Sequence, residues 1–138
     1  MSQQNNMDDR HVDLTSPGHA LLELALAQLA EDARVYNKAV RSFNTHLENH
    51  RDRRDLHDLP RRRPVTDLET FEEAVDGDRE ALECLLSHVL EGAHLDSAVR
   101  RHPRVYPIHI EAVEQLEIAR NQLVSTLEEA LRHLDSNS

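Results

Sequence analysis

The sequence predicts an all-α protein, an antiparallel helical bundle of about four helices, and three features of it carry that expectation. Gly and Pro are scarce, with three and five copies in 138 residues, and the strict alternation that marks half-buried strands is nearly absent. The aromatic residues are only Tyr36, Phe43, Phe71 and Tyr106, so a core must be built from Leu, Ala and Val. Apolar residues recur at the helical period over two long stretches.

The last of these stretches predicts a helix over 108–134. Ala112, Leu116, Ala119, Leu123, Leu127, Ala130 and Leu134 share one face, widened by Val113, Val124 and Leu131. Pro107 precedes it, where a proline is tolerated, and Ile118 alone points to the polar side. The other long helix is predicted over 19–50. Ser16 and Pro17 form its start signal, and Leu22, Ala25, Leu29, Ala33, Tyr36, Val40, Phe43 and Leu47 form its stripe. Leu21, Leu24 and Leu26 make its first half apolar over most of its circumference, so these three are expected at a homodimer interface.

Two short helices are predicted between the long ones. Thr66-Asp67-Leu68-Glu69 reads as a capping box opening a helix over about 66–76 that Gly77 ends. Asp78 caps the next, over about 79–91, with Leu82, Leu86, Val89 and Leu90 inward and Gly92 as its C-terminal cap. Residues 51–65 lose the period and carry Pro60 and Pro64, so they read as an Arg/Pro-rich loop. Residues 1–15 are expected to be a disordered tail, and 16–135 one helical-bundle domain.

The formal charge of −10 is unevenly spread. Residues 66–96 carry −9, whereas 51–64 carry +3 and Arg100, Arg101 and Arg104 add +3. A negative surplus disfavours general nucleic-acid or anionic-membrane binding. No apolar run is long enough to span a bilayer, no signal peptide is visible, and Cys84 is the single cysteine, which suits a reducing compartment. These features lead to an expectation of a cytoplasmic protein.

Three constellations bear on chemistry. Ser87-His88-Val89-Leu90-Glu91-Gly92 resembles the signature of histidine phosphotransfer domains, in which an exposed helical His is followed by Leu, Lys and Gly. The resemblance implies phosphotransfer at His88, which falls opposite the Leu82/Leu86/Leu90 stripe and is expected to face solvent. The position of the family's lysine is Glu91 here, and a carboxylate repels a phosphoryl group. Metal binding is the second possibility. His46 and His50 stand four apart on one face, and Glu91 and His94 form the Glu-x-x-His pair used in ferritin-like carboxylate bundles. For the third, Arg104 and His109 show the Arg-x4-His spacing of the helical HEPN ribonucleases, as do Arg41 and His46.

None of the three is complete, so no cofactor is expected. The sequence supports a small non-enzymatic interaction or adaptor protein that self-associates. It would dock the acidic surface of a protein partner through an Arg/His-rich end made of Arg51, Arg53, Arg54, Arg61, Arg62, Arg63, Arg100, Arg101 and Arg104. Metal-binding or phosphotransfer bundles, and RNA binding or HEPN-like cleavage, are the alternatives.

Overall fold

The computed structural model describes residues 17–49, 61–101 and 106–137, with side chains described over 19–49, 61–101 and 109–136. Those residues form an all-α bundle whose helices are α1 (Pro17–Asn49), α2 (Phe71–Val75), α3 (Arg79–Arg100) and α4 (Tyr106–Asn137), with a 3-10 turn at Val65–Asp67. No strand occurs among the described residues. Among the described residues no helix is long and apolar enough to cross a membrane.

Side-chain pairs fix the directions. Moving up α1 from Asp32 to His46 moves down α4 from Thr126 to His109, so α1 and α4 are antiparallel. Moving up α3 from Arg79 through Asp96 to Arg100 moves down α4 from Asp135 through Arg120 to Glu117. Helix α4 is therefore the central element, α1 and α3 run antiparallel to it on two sides, and α1 and α3 are parallel to each other. The 61–68 segment lies between them.

The core is aliphatic, as the composition requires. Leu22, Ala25, Leu29, Ala33, Tyr36, Val40 and Phe43 of α1 meet Val113, Leu116, Ala119, Leu123, Leu127 and Ala130 of α4. The Leu side chains at 29, 116, 123 and 127 are fully buried, and each contributes roughly 1.5–3 kcal/mol by leaving water.

Helix α3 departs from the expected boundaries. It continues through Gly92 to Arg100, so Gly92 is an interior residue and not a cap. A Cβ built on Gly92 meets Arg120 Nη1 at 3.7 Å and the Tyr36 hydroxyl at 3.8 Å, so the helix passes close to both. Its inward stripe is Leu82, Leu85, Val89, Gly92, Asp96 and Val99, which leaves Leu90 at the surface. The start of α3 is as expected, because the Asp78 carboxylate accepts the Ala81 amide at 3.0 Å.

The predicted 66–76 helix is reduced to the 3-10 turn and the single turn of α2. The Thr66 hydroxyl does not cap a helix. It accepts the Asn37 side-chain amide of α1 at 3.0 Å, so a tertiary bond takes the oxygen that a capping box needs. At the other end of α2, Gly77 adopts φ 95°. Its amide bonds the Ala74 carbonyl and that of Asp78 bonds the Glu73 carbonyl, the paired closure of a Schellman motif.

Candidate functional site

The 61–68 segment is where the charged residues of the sequence meet the fold. It is held to α1 by two asparagines seven residues apart, and so on one side of that helix. Asn44 binds both backbone groups of Arg62, accepting the amide at 2.8 Å and donating to the carbonyl at 2.9 Å. Asn37 accepts the Val65 amide at 2.8 Å while donating to Thr66. Side-chain amides thus replace the ladder partners that an irregular buried backbone lacks.

This clamp gives three consecutive arginines different surroundings. Arg62 turns inward and is 6 % exposed. Its guanidinium lies 4.7 Å above the Phe43 ring and donates to one oxygen of Asp96. Asp96 is fully buried, and its other oxygen accepts from Arg120 Nη1 at 2.5 Å. A buried carboxylate is tolerated only when paired and hydrogen-bonded, and here each oxygen has its own arginine. Arg61 and Arg63 are exposed on either side. Arg61 reaches Glu48 only at 3.8 Å, and Arg63 donates to the Asp67 carbonyl at 2.9 Å.

The cluster continues along α4. Glu117 accepts from the Arg100 guanidinium and lies 3.9 Å from that of Arg120. The Arg100 hydrogen bond leads the effects that hold its carboxyl below the usual carboxylate range. Burial pushes the Tyr36 hydroxyl above the ordinary phenol range, against the lowering pull of the Arg120 and Arg62 guanidiniums. Tyr36, Arg61, Arg62, Arg63, His88 and Glu91 line a cleft of about 160 Å³ between the 61–68 segment and α3, with Gly92 on its wall.

No protein-family model, curated protein or solved structure matches the chain.

The expected basic end therefore divides. Arg62 belongs to the interior, and Arg100 is bound to Glu117. Arg61, Arg63 and Arg101 are exposed, the last donating to the Ser97 hydroxyl at 3.0 Å. Arg51, Arg53, Arg54 and Arg104 lie outside the described residues.

The histidines divide as well. His88 is half-buried, and its Nε2 donates to the Arg63 carbonyl at 3.2 Å, because the inward stripe runs through Leu85 and not Leu90. His46 meets His109 of α4, with Nε2 and Nδ1 2.5 Å apart and the rings edge to face. His109 is itself 1 % exposed, and His50 lies outside the described residues, as does the Ser16 cap. Glu91 and His94 are exposed on α3. Among the described residues no group of three His, Cys, Asp or Glu could hold a metal ion.

Of the leucines expected at a dimer interface, Leu21 and Leu24 are 46 % and 67 % exposed. Leu26 packs against the core, 3.2 Å from the place a Cβ would take on Gly77.

Asp32, Asn37, Asn44, Asp96 and Arg120 are buried or partly buried polar residues that apolar counting passes over. Asp32 accepts from the Thr126 hydroxyl at 2.5 Å and from the Gln28 amide at 2.9 Å. A signal existed for Asp96. The spacing Leu85, Val89, Gly92, Asp96, Val99 alternates four and three, the step of an inward stripe. It shows only when α3 is carried past Gly92.

Proposed function

We propose that this protein is a small non-enzymatic helical interaction module that docks an acidic protein surface through its arginine-bearing end. The observation that supports the reading is the Asn37/Asn44 clamp on the 61–68 segment. With Arg62 anchored inside, Arg61 and Arg63 project from a backbone that is already ordered, so docking loses less conformational entropy than it would from a free loop. Arginine suits such a surface because its planar fork pairs carboxylates in two places. Self-association belongs to the same reading, and the exposed Leu21 and Leu24 support it.

The experiment is affinity capture from the protein's own cell extract. The wild type is compared with a variant charge-reversed at Arg61, Arg63 and Arg101, which spares the buried Arg62. The reading expects specific capture by the wild type, a loss of that capture in the variant, and unchanged helical circular dichroism. Equal capture by both proteins contradicts it.

A further inference from the structure

We infer that α1 pairs with α1 of a second copy of this chain, antiparallel and in one register centred between Leu29 and Ala30. The inference rests on the self-association reading above and adds the geometry of the contact. Leu21, Leu24, Gln28, Glu31, Val35 and Lys38 are all exposed. They follow one another by three and four residues in turn, the spacing of a coiled-coil seam. Leu22, Ala25, Leu29, Ala33 and Tyr36 face the core, so α1 carries a second stripe on its outer side. Leu21, Leu24 and Val35 are 46 %, 67 % and 44 % exposed, apolar area that a second helix would remove from water.

The order of these residues selects an antiparallel partner. The steps read three, four, three, four, three from either end, so the seam matches its own reversed copy. Leu24 then meets Val35 of the second copy, Leu21 meets the aliphatic stem of Lys38, and Gln28 meets Glu31. The Gln28 amide donates one hydrogen to Asp32 at 2.9 Å and has a second for the Glu31 carboxylate. Glu31 also accepts from Arg34 of its own helix at 2.5 Å, and a carboxylate has lone pairs for both donors. A polar pair within an apolar seam fixes register. Charge selects the same direction. The exposed charged residues of 20–31 are Glu23 and Glu31, and those of 34–41 are Arg34, Lys38 and Arg41. Antiparallel pairing sets the acidic half of each helix against the basic half of the other, whereas parallel pairing sets like against like. At the edge of the seam, Ala20 and Ala27 stand across from Arg41 and Arg34 and leave room for them.

The test follows the full chain by sedimentation and by disulfide cross-linking in a Cys84→Ser background, since Cys84 is exposed. Leu24→Cys with Val35→Cys on the same chain should give a covalent dimer on oxidation. Each cysteine alone should give none, because the register places the two copies of position 24 about 17 Å apart along the axis. Charge gives a second test that leaves the apolar seam intact. Glu23→Lys with Glu31→Lys, and separately Arg34→Glu with Lys38→Glu, should each weaken self-association about tenfold. Mixing the two variants should restore it. Cross-linking by a single cysteine overturns the inference, as does a mixture that stays monomeric. In either case a wild type that still sediments as a dimer leaves self-association standing. If the cysteines themselves break the dimer, the charge variants decide alone. A wild type that is monomeric at micromolar concentration removes both the register and the self-association reading.

Discussion

Asp96 is the residue on which the charged interior turns. It is fully buried between Arg62 and Arg120, and removing its charge strands two guanidiniums away from water. Asp96→Asn should therefore cost about 3–5 kcal/mol in urea unfolding, the range for breaking a buried pair from one side. Replacing all three residues together, with Arg62→Met, Asp96→Leu and Arg120→Met, removes the stranded charges and should cost far less. If the single and the triple variants unfold alike, the trio does not act as a unit. Nothing in the local sequence announces this group. Arg62 stands within a run of three arginines, and only the side-chain amide of Asn44 on its backbone decides that it is the one to turn inward. That information is tertiary, which is why counting basic residues placed Arg62 at the surface.

At the scale of elements, the informative case is α3. A glycine near a plausible helix end reads as a C-terminal cap, because most helices that stop at glycine use its freedom at positive φ. Gly77 is such a position, with φ 95°, whereas Gly92 lies inside α3 under Arg120 and Tyr36. The two readings differ in sign. An interior glycine is less stable than alanine by about 0.5–1 kcal/mol, and a Cβ at 3.7 Å from its nearest neighbour makes ordinary contact. Gly92→Ala should therefore raise the urea midpoint, while a fall would place the helix end at Gly92. The long helices were legible because their stripes are long and unbroken. The capping box at Thr66 was legible and misleading, since Asn37, 29 positions earlier, binds its hydroxyl.

At the scale of the whole molecule, α4 lies between two helices antiparallel to it, and the clamped 61–68 segment lies between those two. The all-α class followed from periodicity and composition, and burial of the Leu and Ala stripes in α1 and α4 accords with it. The site was less legible because its polar residues are distant in sequence. Asn37, Arg62, Asp96 and Arg120 come from four separate segments. The exposed Leu24 supports self-association, so Leu24→Glu should shift a dimeric wild type toward monomer in light scattering, and a wild type monomeric at micromolar concentration would remove the idea. The arginine-bearing end is proposed to dock acidic protein and not nucleic acid. Two features support it: the residues outside the two basic stretches carry −16, and the four aromatic residues are too few for a stacking platform. The most direct measurement is anisotropy of a fluorescent generic single-stranded oligonucleotide beside a fluorescent capped hexaglutamate peptide, both at physiological salt. The peptide should bind more tightly than the oligonucleotide, whereas tight, salt-sensitive binding of the oligonucleotide would mean that the basic end takes a phosphate backbone instead.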